Sequence, residues 1–151
     1  MLKAIIFDFD GVITESIDIK GDAFVYVFKN YPQHAKTIAA LHNAHGGMSR
    51  FEKFKIIHED IIGIPYSEKI GENLSKKFRA YVYDRIIKCP YVKGTKKFLE
   101  KYYKKFSFFI ASGTPQEEMR GVIRDKGLNK YFVDVFGSPD RKAAICKKII
   151  K

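Results

Sequence analysis

The chain has one short strand-like apolar segment near its start, and the next segment of this kind comes only about a hundred residues later. Residues 4–9 (Ala-Ile-Ile-Phe-Asp-Phe) lead into Asp10-Gly11, a pattern typical of a strand that ends in a turn. The next run of this kind covers residues 106–111. Because one short strand cannot form a sheet alone, we expect residues 4–9 to pair with strands from the end of the chain. These two distant parts of the sequence are therefore predicted to share one core.

The last part of the sequence alternates between helical and strand patterns. Apolar side chains have helical spacing at 94–105 and 115–126, short apolar runs lie at 106–111 and 132–136, and a final helix is expected to begin near Asp140. Strands that alternate with helices are typical of a parallel sheet joined by crossover helices. We therefore predict an α/β core.

The residues between the two parts of the core are predicted to form a four-helix insertion. The third of these helices begins at a capping box, Ser49-Arg50-Phe51-Glu52, in which Ser49 accepts from the backbone and Glu52 reaches back. The predicted helices are 17–30, 34–45, one from Ser49 to near Gly63, and 67–88. The predicted domains are therefore a core of residues 1–16 and 89–151 and a helical cap of residues 17–88.

The chain is strongly basic, with 28 Lys+Arg against 17 Asp+Glu, a net charge of +11 and an isoelectric point near 9.6. Such a charge attracts nucleic acid or small anionic molecules. The lysines are spread along the sequence without forming a stripe, which favours a solvated basic surface over a nucleic-acid interface. We therefore expect no nucleic-acid partner, and the sequence leaves the oligomeric state open.

The sequence carries no pattern typical of export or membrane insertion. No apolar run is long enough to cross a bilayer, and the first apolar residues run at once into Asp8, unlike a signal peptide. The two cysteines, Cys89 and Cys146, lie far apart and outside any CxxC pattern, which is typical of reduced thiols. We therefore predict a cytoplasmic protein that does not bind membranes.

Two carboxylates mark the end of the first predicted strand. Asp8 and Asp10 are two residues apart, so in a strand both side chains point to the same side. The carboxyl ends of parallel strands are where ligands bind in open α/β sheets. A structural alternative is that the two acids only stabilise the turn at Gly11.

The segment around these acids resembles the haloacid dehalogenase superfamily. Asp-x-Asp-Gly-Val after an apolar N-terminal strand, here from Asp8 to Val12, is similar to the family's first motif. A Ser or Thr at the end of the next core strand is the second motif, and Ser112-Gly113-Thr114-Pro115 stands there. A Lys near the start of a later helix is the third, and Lys142 fits. The three motifs occur in the family's order, with a helical insertion after the first.

The resemblance implies a Rossmann-like parallel sheet core with an inserted four-helix cap, and it assigns roles to residues. In the family the first Asp is a nucleophile that forms an aspartyl-phosphate, which corresponds to Asp8. The second acid, Asp10, is the general acid and base. Ser112, Gly113 and Lys142 would hold the phosphoryl oxygens. A Mg²⁺ ion would bind to the Asp8 side chain and the backbone carbonyl of Asp10, with water molecules completing its coordination.

The same resemblance narrows the expected substrate to a small phosphorylated metabolite. Dehalogenases and phosphonatases of the superfamily replace the second acid, so Asp10 favours hydrolysis of phosphate monoesters, as in phosphoglycolate-phosphatase-like enzymes. Related sugar-phosphate mutases carry a His in the segment where Lys20 stands, which weakens but keeps the mutase alternative. Arg50, at the start of a cap helix, could pair with a second anionic group, or it could be a solvated side chain.

The family's fourth motif, an acidic Gly-Asp-x-x-x-Asp after a further strand, has no match in these 151 residues. We therefore expect the core to be truncated at its C-terminal side, with residues 4–9 as an edge strand, as in a fragment of a longer protein. Asp134 or Asp140 could replace the missing metal ligand, although the spacing of neither residue matches the family's motif. A catalytically incompetent binding module is the alternative that this difference leaves open.

Overall fold

The computed structural model describes residues 3–150. The chain divides into two compact units, with the divisions after Ser16 and after Arg85. Of the described residues, 3–16 and 86–150 form the first unit, here called the core unit, and 17–85 form the second, here called the cap unit. The second division lies inside a helix at 85/86, whereas the predicted domain boundary is at 88/89.

The core unit contains a parallel three-stranded sheet, as predicted. Its strands β1 (Ala4–Phe7), β2 (Ser107–Pro115) and β3 (Asp134–Ser138) lie in the order β1-β2-β3. Helices α5 (Thr95–Tyr102), α6 (Gln116–Asp125) and α7 (Lys142–Ile150) alternate with these strands along the chain. Within the described residues β1 pairs with β2 alone, so it lies at an edge of this sheet.

Aromatic side chains fill the space between β1 and its neighbours. The Phe7 ring contacts three others edge-on, with centroids 5.1 Å from Phe108, 6.2 Å from Phe98 and 6.2 Å from Phe132. Edge-to-face arrangements are favourable because the positive edge of one ring meets the negative face of another. This packing fixes β1 beside β2 immediately before the position of Asp8.

The strand bounds differ from those predicted. β1 ends at Phe7 instead of residue 9, because the Phe9 carbonyl accepts from the amide of Ile13 at 2.8 Å and the chain turns. β2 continues through the predicted turn at 112–114 to Pro115, with an irregular register between Ala111 and Pro115. A sequence of turn-forming residues can remain extended when a neighbouring strand supplies hydrogen-bond partners.

The cap unit contains the four predicted helices. They are α1 (Ile17–Val27), α2 (Ala35–Ala44), α3 (Arg50–Ile56) and α4 (Glu68–Lys88), whose last residues belong to the core unit. A short 3₁₀ turn, Pro32–His34, precedes α2, and a second one, Asn129–Tyr131, precedes β3 in the core unit. Among the described residues, no helix is both long and apolar enough to cross a membrane.

The capping box predicted at the start of α3 is confirmed. The Ser49 hydroxyl accepts from the Glu52 amide at 3.2 Å, and the Glu52 carboxylate accepts from the Ser49 amide at 3.3 Å. The helix does not remain α-helical to Gly63, however, because it becomes a π-helix over Ile57–Ile62. π-Helical segments are rare in proteins, and those that do occur are often found at functional sites.

Candidate active site

A short polar contact in the core unit joins residues that are far apart in the sequence. Lys142 is the first residue of α7, and its Nζ atom lies 2.5 Å from Oδ2 of Asp8, which directly follows β1. Both side chains keep about a third of their surface exposed, 30% for Lys142 and 36% for Asp8. The two residues that the first and third motifs indicate are therefore brought together, and they remain accessible.

The turn after β1 positions Asp8 and Asp10. Oδ1 of Asp8 accepts from the Phe9 amide at 2.7 Å, and the buried Phe9 side chain anchors the turn. Gly11 has φ +73°, which a residue with a side chain rarely adopts, and its amide donates to the Thr14 carbonyl at 2.8 Å. Asp10 therefore lies in a tight turn and not in the strand.

Two buried hydroxyl groups hold the Asp10 carboxylate. The Ser16 hydroxyl donates to Oδ1 of Asp10 at 2.5 Å, and it lies 2.9 Å from the Thr14 hydroxyl. Because a serine has one hydroxyl hydrogen, Thr14 is the donor to Ser16 in this arrangement. Thr14 and Ser16 are both 0% exposed. The sequence interpretation did not single out these two residues, although their position just after an acidic turn was a possible signal.

The second motif lies at the carboxyl edge of the sheet beside the first. The last paired residues of β1 and β2 are Phe7 and Ile110, so Asp8 and Ser112 both follow this pair at the same edge. Ser112 is 0% exposed, and its Oγ accepts from the Thr114 amide at 3.1 Å. Its hydroxyl hydrogen is then left to donate to another acceptor. Gly113 is half-buried between these two residues.

The predicted cap residue Arg50 is not solvated. It is 5% exposed, its guanidinium lies 4.5 Å from the centre of the Phe78 ring, and it donates to the Ser75 hydroxyl at 3.4 Å. The solvated alternative is therefore wrong. Whether Arg50 contacts substrate stays a prediction.

Asp134 is not placed as a replacement metal ligand. It begins β3, at the amino edge of the parallel sheet, whereas Asp8 follows β1 at the carboxyl edge. Its Oδ1 pairs with Arg120 at 3.3 Å. Asp140 lies in the exposed turn between β3 and α7. Among residues 3–150, no group of three or more His, Cys, Asp or Glu side chains is arranged to hold a metal ion.

A Rossmann-like sheet with polar side chains at its carboxyl edge and a helical insertion after the first strand defines the class of the protein. Residues 5–146 match the family of haloacid dehalogenase-like hydrolases, and the chain belongs to that family. A comparison with curated proteins finds no match.

Solved structures with the same fold include a predicted phosphoglycolate phosphatase from Haemophilus somnus, with a TM-score of 0.71 at 14% identity over 98% of this chain and 72% of that one. A β-phosphoglucomutase from Clostridium difficile has a TM-score of 0.68 at 18% identity over 89% and 61% of the two chains. A magnesium-bound HAD-hydrolase from Bacillus subtilis has a TM-score of 0.60 at 19% identity, over 91% of this chain and 65% of that one. At these identities the similarity shows the fold alone.

Proposed function

We propose that this chain is a phosphatase that hydrolyses a small phosphate monoester through a phosphorylated Asp8. The observation that supports this most directly is the 2.5 Å contact between Lys142 and Asp8 at the carboxyl edge of the sheet. A lysine beside a carboxylate offsets its negative charge, so an anionic phosphate group can approach the nucleophile.

In the proposed reaction, an Asp8 oxygen attacks phosphorus, and the bond between phosphorus and the ester oxygen breaks. Asp10 gives its proton to that leaving oxygen. A water molecule then attacks the phosphorus of the acyl-phosphate, Asp10 takes a proton from it, and the released phosphate leaves Asp8 as a carboxylate. Lys142 and the Ser112 hydroxyl would donate to the phosphoryl oxygens, with the Gly113 backbone beside them.

The donor set at the turn fits Mg²⁺, which the family implies as a cofactor. Asp8 and Asp10 offer only oxygen ligands, the type that a hard cation prefers, and Mg²⁺ commonly keeps several waters and binds through one or two carboxylates. The Asp8 side chain and the Asp10 carbonyl would hold it. When bound, Mg²⁺ would neutralise negative charge on the phosphoryl oxygens.

The test is Mg²⁺-dependent phosphate release from a panel of small phosphate esters by this chain and by Asp8→Asn. We expect a loss of roughly 1,000-fold or more in the variant. Asp84→Asn is the matched control, because Asp84 is exposed on α4. Chelation with EDTA should remove the release, and added Mg²⁺ should restore it.

The outcomes separate the alternatives. Isomer formation that requires a bisphosphate and releases no net phosphate would identify a mutase. A cooperatively folded chain that binds phosphate esters without turnover would be a binding module, and the phosphatase proposal would then be wrong for these residues.

A further inference from the structure

One helix of the core unit and its flanks carry an unbalanced group of lysines. Residues 91–106, which contain α5, include six lysines and a single acid, Glu100. The lysines are Lys93, Lys96, Lys97, Lys101, Lys104 and Lys105, and all six are exposed. In the part of the chain that the structure describes, none of their ammonium groups pairs with a carboxylate. Because like charges four residues apart, such as Lys97 and Lys101, slightly destabilise a helix, stability does not account for this concentration of positive charge.

Three of these lysines line a groove beside α5. The groove has a volume of about 410 Å³, and all of its lining residues belong to the core unit. They are Tyr91, Val92, Lys93, Gly94, Lys96, Lys97 and Glu100. Nζ of Lys96 lies 5.9 Å from the centre of the half-buried Tyr91 ring, so an aromatic wall stands beside the charge. A cleft lined mainly by charges of one sign concentrates the electric field and attracts ligands of the opposite sign.

A pair of tyrosines continues this surface beyond the groove. The Tyr131 hydroxyl donates to Oε1 of Glu100 at 3.5 Å, and the Tyr131 ring packs edge-on against Tyr103 with centroids 5.3 Å apart. Nζ of Lys104 lies 5.8 Å from the Tyr103 centroid, and Nζ of Lys130 lies 4.9 Å from the Tyr131 centroid. Lysines therefore stand at both ends of one contiguous surface, and the half-buried Tyr103 ring lies between them.

We propose that the groove and the adjoining tyrosine pair, together called the α5 surface, bind single-stranded nucleic acid. The phosphates would lie against the lysines, and an unpaired base would stack on the accessible part of the Tyr103 ring. A duplex carries phosphates but hides the faces of its bases, and inorganic polyphosphate has no bases, so the aromatic ring favours a single strand. Such binding does not depend on the proposed phosphatase activity.

This proposal differs from the expectation that the sequence favoured, a basic surface that is only solvated. Lysines spread along a sequence give no sign of a binding site. The groove and the contact between Tyr103 and Tyr131 depend on how α5 packs in the fold, which the spacing of lysines does not reveal.

The test measures binding of a fluorescein-labelled single-stranded DNA of about 20 nucleotides by fluorescence anisotropy, at salt concentrations between about 50 and 200 mM. We expect this single strand to bind at least about fivefold more tightly than its duplex or than inorganic polyphosphate of similar length. Equal binding of the three polyanions would overturn the proposal, and so would the absence of saturable binding of the single strand.

A triple variant of the groove tests the contribution of charge, and it carries Lys93→Gln, Lys96→Gln and Lys97→Gln. We expect it to bind the single strand roughly tenfold or more weakly than wild type. The slope of log association constant against log salt should become shallower by about 2, because each phosphate contact to a single strand contributes about 0.7.

The matched control removes three charges from exposed lysines of the cap unit, with Lys55→Gln, Lys69→Gln and Lys76→Gln. It lowers the net charge by the same amount, so it should keep the affinity within about threefold and retain the wild-type salt slope. Equal losses in the two triple variants would show that binding follows net charge alone, and would contradict a site at α5.

Tyr103→Leu tests base stacking. It should weaken binding of the single strand roughly fivefold or more and leave the salt slope unchanged, because the ring contacts no phosphate. Tyr26→Leu is the control, since Tyr26 is 45% exposed on α1 of the cap unit. A folded Tyr103 variant with wild-type affinity would overturn the assignment to a single strand. If circular dichroism shows that this variant does not fold, the groove variant, which replaces exposed lysines only, decides the proposal.

Discussion

The Nζ atom of Lys126 lies 2.6 Å from the carbonyl oxygen of Cys89. The same ammonium group donates to the carbonyls of Ile86 at 3.1 Å and Ile87 at 2.9 Å, in the last turn of α4. The last carbonyls of a helix have no partner within the helix, and a cation there also interacts favourably with the helix dipole. Lys126 follows α6, so within the core unit it links the end of α4 to the end of α6, and burial lowers the pKa of its ammonium group.

We expect Lys126→Met to lower the free energy of unfolding by about 1–3 kcal/mol, because three carbonyls lose a charged donor. Urea denaturation followed by circular dichroism would measure the change. Lys36→Met on the exposed face of α2 should stay within about 0.5 kcal/mol of wild type. Equal stability of the two variants would show that water replaces the Lys126 contacts.

Gly137 of β3 lies too close to β2 to accept a side chain. A Cβ atom at this position would lie 2.3 Å from the Thr114 carbonyl oxygen and 2.7 Å from Cα of Gln116. Both are backbone atoms, so a rotamer change cannot relieve the contact. The glycine thus lets β3 approach the strand end that carries the Ser112 motif.

Gly137→Ala should therefore lower the free energy of unfolding by about 1–3 kcal/mol, since the strands must separate. Gly46→Ala is the matched control, because a Cβ there meets nothing within 4 Å. Urea midpoints of the two variants would be compared with wild type. A Gly137 variant as stable as the Gly46 variant would contradict the close approach of the strands.

The sequence predicted the parallel sheet because alternating strand and helix segments are a local pattern. The shared site of Asp8 and Lys142 was instead implied by the resemblance to the family's motifs. The predicted end of β1 was wrong because the Phe9 carbonyl accepts a hydrogen bond within the turn. The apolar character of the segment does not reveal this bond.

Burial of charge was the part that the sequence could not predict. Lys53 of α3 is 2% exposed, although its neighbour Lys55 on the same helix is solvated, as helical lysines usually are. Its burial depends on which faces of α1, α2 and α3 pack together, and this is a tertiary property. The same holds for Ser16, whose contact with Asp10 arises from the turn geometry.

Ser16→Ala tests whether this contact positions Asp10 for proton transfer. If the phosphatase proposal holds, we expect kcat to fall roughly tenfold with KM little changed, because a hydrogen bond to a charged group is worth about 1.5 kcal/mol or more. Ser107→Ala, at the exposed start of β2, is the control. Unchanged kcat in a folded Ser16 variant would remove the hydroxyl pair from the proposed mechanism.

His58 links stability of the cap unit to pH. It is 7% exposed, its ring packs against those of Phe28 and Tyr66 with centroids 5.6 and 5.8 Å away, and its Nδ1 atom has no hydrogen-bond partner in the described structure. Burial lowers the pKa of His58 below its ordinary 6.5, against smaller opposing effects of the Pro65 backbone and Glu59.

Because the folded chain resists protonation of His58, this residue binds more protons in the unfolded chain below about pH 6.5, so its contribution lowers the free energy of unfolding as pH decreases through this range. His58→Phe removes the titrating group and keeps a ring that can pack against Phe28 and Tyr66. We expect the variant to lose less stability than wild type between about pH 7.5 and 5.5, as measured by urea denaturation at each pH. His45→Asn, at an exposed position, should keep the wild-type dependence. If the His58 variant retained the full dependence instead, other groups would account for the loss at low pH.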